Sequence, residues 1–149
     1  MLNGKEIVEK GIVTKVSEEN VAQHGIDLNL IKVERVIGIG KIPVKGKTIL
    51  PNYQEVVPID NIWHLNPGTY NITFEQGCKI PNNQMCLIRQ RSSLLRCGGQ
   101  LHSSVFDAGF ETENIGTFMT LFHPIDIEVG ARVAQIYNHL TTPVENLYD

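Results

Sequence analysis

The sequence has no apolar run approaching the roughly 18 to 20 residues that cross a bilayer. Its opening, MLNGKEIVEKG, also lacks the long apolar segment of a signal peptide. A soluble, intracellular protein with no membrane partner is the expectation. Cysteine is scarce. Cys78, Cys86 and Cys97 are odd in number and lack paired metal-type spacing, which argues against a disulfide framework or a zinc knuckle and for free, mostly buried thiols. Positive charge is not in excess either: thirteen Lys and Arg against sixteen Asp and Glu leave a formal charge of -3, so no overall field would gather a nucleic acid polymer. There is no internal repeat, low-complexity tract or linker. What remains is 149 residues, 42% of them hydrophobic, enough for one domain spanning 1–149 with a real core.

Helix signals are confined to the start. Asn3 followed by Glu6 has the spacing of a capping box, and Ile7, Val8 and a stop at Gly11 suit a helix of about two turns, the only clear one in the chain. From Ile26 onward, short runs of Val, Ile, Thr, Phe and Tyr are cut by Gly, Pro and Asn, the pattern of β-structure. Residues 26–30 and 70–74 alternate with period two, predicting half-buried strands. Tight turns are predicted at Asn66-Pro67-Gly68 and at Ile80-Pro81-Asn82-Asn83. Gly38, Gly40, Pro43, Gly46 and Pro51 make a loop or loose hairpin in which Lys41, Lys45 and Lys47 are solvated. A last strand is predicted over 131–140, ended by Thr142-Pro143. Many short strands with frequent turns suggest a barrel or jelly-roll-like sandwich.

Four clusters combine reactive polar groups with small residues: 24–28, 91–96, 104–110 and 130–135. In the second, Arg91 and Arg96 bracket Ser92 and Ser93, so guanidinium forks and short hydroxyls suited to phosphate oxygens lie within six residues; the same run also fits an exposed polar turn. Asp107 sits between Val105-Phe106 and Ala108-Gly109-Phe110. It is either a turn former or, beside bound phosphate, a base for water. Asp27 is either a strand-end turn residue or an indirect partner of a metal ion. Gln135 either pairs with a neighbour or donates its amide to substrate.

In this order the clusters resemble the superfamily shared by trimeric dUTPases and dCTP deaminases. Gly25-Ile26-Asp27-Leu28 matches its first motif and Arg91-Ser92-Ser93-Leu94-Leu95-Arg96 its second. Phe106-Asp107-Ala108-Gly109-Phe110 matches the third, and residues 130–135, ending Val133-Ala134-Gln135, the fourth. The opening Leu2-Asn3-Gly4-Lys5-Glu6-Ile7, Pro67-Gly68 with its following strand, and the tail from Thr142 to Tyr148 look like the deaminase branch.

The resemblance implies a mainly β, distorted jelly-roll-like barrel of the dUTPase type with a short N-terminal helix, working as a homotrimer with sites shared between subunits. It implies hydrolysis of dUTP to dUMP and pyrophosphate with Mg²⁺ as cofactor. Asp107 would hold the water that attacks the α-phosphorus, and Ser92 would bond the oxygen between the α and β phosphates. Ser93, Arg96 and Gln135 would bind substrate, with Arg91 supporting the site or subunit contacts. Phe110 would lie on the deoxyribose and exclude a ribose hydroxyl. Asp27 would reach the metal through water.

Members of the deaminase branch carry a proton-transferring glutamate ten residues after the third-motif aspartate. Counted directly that position is Thr117, and counted from Gly116 it falls near Leu121; neither is acidic, and a neutral side chain cannot serve as the base. The segment 111–116 is longer than the usual turn, so Glu111 and Glu113 stand as displaced substitutes in the alternative reading, a dCTP deaminase or bifunctional enzyme. Many dUTPases also close a glycine-rich C-terminal arm over the substrate, and no such stretch occurs before Asp149. That leaves slower turnover, a different closing segment, or a non-catalytic nucleotide-binding relative as expectations.

Overall fold

The structure is a computed structural model and describes residues 1–102 and 104–145; Asn146, Leu147 and Tyr148 of the deaminase-like tail lie outside the described residues. In chain order the elements are α1 (Gly4–Glu9), β1 (Val13–Thr14), β2 (Ile26–Ile37), β3 (Asn52–Glu55), β4 (Ile62–Leu65), β5 (Gly68–Phe74), β6 (Gly77–Lys79) and β7 (Gln84–Gln90). There follow α2 (Ser92–Arg96), β8 (Gly99–Leu101), β9 (Val105–Phe106), β10 (Glu111–Thr112), β11 (Gly116–Leu121), β12 (Ile125–Glu128) and β13 (Arg132–Leu140).

The fold is mainly β and antiparallel. One curled sheet runs β8-β11-β5-β2-β13-β7-β9, with β3 added to the distal half of β2. A three-stranded sheet, β1-β6-β10, and the two-stranded pair β12-β4 complete the β-structure among the described residues. Ile26, Leu28, Leu30, Ile72, Phe74, Ile88 and Ile136 are all buried on the inner face of the curl, where Ile7 of α1 joins them. The period-two pattern of β2 and β5 is therefore the pattern of the core. Trp63 closes one end and donates its indole N–H to the carbonyl of Val56 at 3.1 Å.

At α1 the sequence signals act locally. The Asn3 side chain accepts from Glu6 N–H at 2.9 Å and Glu6 accepts from Asn3 N–H at 3.2 Å, the two halves of a capping box. The N-terminus is fastened further by Leu2 N–H donating to the buried side chain of Asn138, which in turn bonds Gln84.

Helix content exceeds the sequence expectation of a single helix. Residues 92–96 form the five-residue helix α2 rather than a polar turn, and Glu18–Asn20 forms a 3₁₀ turn. Arg91 caps α2 without a side-chain hydrogen bond, so the usual cap signature is missing; burial of Leu94 supplies the tertiary support that so short a helix needs. Residues 38–51 form a loose hairpin closed by paired backbone bonds between Lys41 and Ile49, with all three lysines exposed. No helix among the described residues is long and apolar enough to cross a membrane.

Candidate functional site

The first, second and fourth clusters converge on one carboxylate. Asp27 lies directly opposite Gln135 in the β2–β13 ladder, and its side chain is only 6% exposed. One carboxylate oxygen accepts the Gln135 amide at 2.9 Å. The other faces Arg91 Nε at 3.5 Å and Arg132 Nη1 at 3.4 Å. A half-buried strand was expected here; instead these three side chains cover the second face of β2 at Asp27.

A bulge makes the cluster possible. Side chains three apart on a regular strand point to opposite faces, yet Arg132 and Gln135 both reach Asp27. The β2–β13 register shifts between Arg132, level with Asn29, and Ala134, level with Leu28, so one extra residue on β13 turns Arg132 back to the Asp27 side. Gly25 is required at this crossing. A Cβ there would lie 2.5 Å from the carbonyl oxygen of Ile136 and 2.9 Å from Cγ of Gln135, so the first and fourth clusters touch only because that side chain is absent.

Arg91 is fixed three ways. Its backbone N–H donates to Val133 at 2.9 Å, its guanidinium donates to the carbonyl of Arg132 at 3.2 Å, and its Nε faces Asp27. Arg132 also donates to the carbonyl of Glu19 at 2.7 Å. The result is two guanidiniums held around one carboxylate, a net positive seat suited to an anion.

Immediately beyond Arg91, α2 presents Ser92, Ser93 and Arg96 to solvent. Among the described residues their side chains form no hydrogen bond or ion pair. Ser93 and Arg132 share a cleft of about 220 Å³ with Cys97 and Asp126, and Arg96 lines a neighbouring cleft with His123.

Asp107 and Phe110 lie elsewhere in the same chain. Phe106 pairs with Cys86 on β7, whereas Gln135 pairs with Arg89. Asp107 therefore lies about 13 Å along the strands and about 10 Å across them from Gln135. The turn that carries it is well fixed. Phe110 N–H returns to the Asp107 carbonyl at 3.1 Å, Gly109 has φ 88°, Gly109 N–H donates to the Ile80 carbonyl, and Ile80 N–H donates to the Phe110 carbonyl, both at 2.9 Å. The Asp107 carboxylate is exposed, while Phe110 is half-buried and stacks on Phe106 with ring centroids 5.4 Å apart.

Neither position counted for the deaminases' glutamate holds an acid: Leu121 is buried and apolar, and Thr117 is a buried hydroxyl. Thr117 donates to the carbonyl of His102 at 2.9 Å and shares a hydrogen bond with Ser104 at 3.1 Å. Neither displaced glutamate replaces it: Glu113 is exposed and pairs with Lys15 at 3.5 Å, and Glu111 is exposed opposite Lys79.

No group of three or more His, Cys, Asp or Glu side chains among the described residues could hold a metal ion. Asp27 is the one carboxylate of its cluster, already countered by two guanidiniums. By themselves these residues do not make a resident divalent-cation site; within the chain the Asp27 carboxylate holds the two arginines.

Sequence reasoning missed Arg132, whose role depends on the bulge. It also missed the amides beneath Asp27. Asn20 donates to the carbonyl of Asp27 at 2.8 Å and to the side chain of Asn29 at 2.6 Å, and Gln76 donates to the same Asn29 oxygen at 2.7 Å. Isolated Asn and Gln residues carry no motif that would have flagged them.

Residues 3–139 match the family model described as dCTP deaminase-like. A deoxyuridine 5'-triphosphate nucleotidohydrolase of Methanocaldococcus jannaschii is 36% identical over 94% of this chain and 91% of its own length. A probable deoxyuridine 5'-triphosphate nucleotidohydrolase of Halobacterium salinarum is 35% identical over 92% and 85%. Among solved structures, a 2'-deoxycytidine 5'-triphosphate deaminase from Agrobacterium tumefaciens superposes with TM-score 0.68 at 14% identity, covering 91% of this chain and 46% of that one. A dUTPase of Staphylococcus bacteriophage 80alpha with dUpNHpp gives 0.55 at 15% identity, covering 92% and 94%.

Proposed function

The chain belongs to the dCTP deaminase-like family, and from that premise we propose that it is a dUTP nucleotidohydrolase, converting dUTP and water to dUMP and pyrophosphate. The observation that carries the hydrolase reading over the deaminase one is Thr117. Its hydroxyl is buried and donates to a backbone carbonyl, and Leu121, at the other counted position, is apolar and buried, so no base stands at either, whereas Asp107 is an exposed carboxylate free to take a proton from water. The nucleotidohydrolase relatives, 35–36% identical over most of the chain, support the same side.

The division of the site supports a shared one. Asp107 sits two strands and four register positions from Gln135, with no contact to the Asp27 cluster among the described residues. In a homotrimer, Asp107 of one subunit faces the phosphate seat of the next. Phe110 lies on the deoxyribose. Asp107 takes a proton from a water whose oxygen attacks the α-phosphorus; the bond to the α–β bridging oxygen breaks and pyrophosphate departs. Ser92 donates to that bridging oxygen as its charge grows, a contribution of roughly 2.7 to 4 kcal/mol to the barrier.

Arg96 and Ser93 bind phosphate oxygens. Asp27 orients Arg91 and Arg132 behind them, and Gln135, with one amide hydrogen committed to Asp27, has a second for the phosphates. Mg²⁺ enters as part of the substrate, on the triphosphate.

The deciding experiment incubates the protein with Mg²⁺ and either dUTP or dCTP while pyrophosphate, ammonia and nucleotides are followed together. Pyrophosphate and dUMP from dUTP, with no ammonia from dCTP, is the expected result. Ammonia from dCTP would overturn the assignment, and binding without product would make the chain a regulatory relative.

A further inference from the structure

The hairpin at 38–51 has the composition of an interface and no partner within its own chain. Ile39, Ile42 and Val44 are 93%, 87% and 101% exposed, and Ile49 and Leu50 beside them are exposed as well. Scattered surface aliphatics need no explanation, but five exposed ones within the twelve residues 39–50 concentrate apolar surface on one hairpin, as interaction surfaces do. The arm is also preorganised. The Lys41–Ile49 backbone pair closes it, Pro43 and Pro51 fix two φ angles, and Gly40 packs against Pro51 so closely that a Cβ would come within 3.1 Å of it. An arm set in advance loses little conformational entropy on docking.

Charge identifies the occupant. Within 38–51 there are three lysines and no acid, so the rest of the chain holds ten basic against sixteen acidic residues. A cationic, aliphatic arm on an otherwise acidic molecule is complementary to another copy of that molecule. An anionic lipid surface would attract the arm but repel the remainder. The arm follows the end of β2 at Ile37, ten residues along that strand from Asp27, at the opposite end of β2 from its own phosphate seat.

We infer that the 38–51 arm docks on a neighbouring copy of this chain and holds the assembly together. This rests on the reading that copies associate to complete the site. An arm gripping the next subunit's surface is a head-to-tail contact, the kind that closes into a ring.

Sedimentation velocity over a hundredfold dilution range tests it, with far-UV circular dichroism checking the fold. The wild-type chain should sediment as a trimer. The double variant I39D/V44D, altered only at exposed positions, should dissociate at a concentration at least tenfold higher with an unchanged spectrum. Should that variant lose its fold, K41E/K45E/K47E provides the second reading and should show the same weakening. Equal trimer stability in wild type and folded variants would overturn the arm's role and leave the shared site standing. A wild-type monomer that hydrolyses dUTP would overturn the shared site and the arm together. Cosedimentation of the wild type with phosphatidylglycerol vesicles, lost in I39D/V44D while the oligomer is unchanged, would assign the arm to lipid instead.

Discussion

Asp27 and Gln135 face each other across β2 and β13, and the carboxylate accepts the amide at 2.9 Å while two guanidiniums crowd its other oxygen. Removing the carboxylate in Asp27→Ala leaves Arg91 and Arg132 repelling each other. Breaking a fully buried pair costs several kcal/mol; because both arginines are more than a third exposed, the expected loss is about 1–3 kcal/mol. Urea denaturation should show the midpoint falling at constant m-value, and an unchanged midpoint would mean the cluster adds nothing to stability.

Asp107 makes no such structural contribution, since its carboxylate is exposed. Asp107→Asn is expected to keep the fold, the assembly and nucleotide binding, and to lower kcat by about two to four powers of ten, the usual cost of a lost general base. Turnover near the wild-type level would remove Asp107 from the chemistry.

Mixing variants tests the division of the site between subunits. In a ring where Ser92 of one chain meets Asp107 of the next, every trimer containing both Asp107→Asn and Ser92→Ala chains has one site with both residues intact. Co-folded equal amounts should therefore recover about a quarter of wild-type activity, although each variant alone is nearly inactive. A mixture no more active than its parts would place both residues in the same subunit's site.

Phe110 lies on Phe106 with ring centroids 5.4 Å apart, so its ring is held in place before any sugar arrives. Phe110→Ala should raise kcat/KM for UTP relative to dUTP by about tenfold, on the scale of one apolar contact and one steric exclusion. An unchanged ratio would take Phe110 out of sugar selection.

The thiols give a test of burial. Desolvation pushes Cys78 to about 11 and Cys86 to about 12, from an ordinary 9.0, while Cys97 is exposed. At pH 8 iodoacetamide should label Cys97 in the native protein and all three only after unfolding. The raised values also set a sign. Below pH 9 both states hold these protons; above it the unfolded chain releases them while the native one retains them up to about 11 to 12. Stability should therefore fall as pH rises from 9, and substituting Cys86→Ala should flatten that slope.

The legible parts of the sequence were those governed by neighbours along the chain. The Asn3–Glu6 box, the Ile26-Leu28-Leu30 alternation, the turn at Pro81-Asn82 and the final strand all rest on short-range rules. The helix α2 was not legible, because its cap has no side-chain bond and its support is the burial of Leu94. β4 and β12 escaped because their stability comes from pairing with each other at a distance of some sixty residues. The site residues were named from motif order, but a motif says nothing of distance: the gap between Asp107 and Gln135 follows from the β13–β7–β9 register.

The extra residue on β13 makes that strand a reading frame as much as a ladder. Substitutions at Val133 leave the frame intact, so the seat survives with altered packing. Deleting Val133 would close the bulge into a regular ladder, leaving Arg132 and Gln135 two residues apart and still on the Asp27 side, but without the buried Val133 side chain and the carbonyl that accepts from Arg91 N–H.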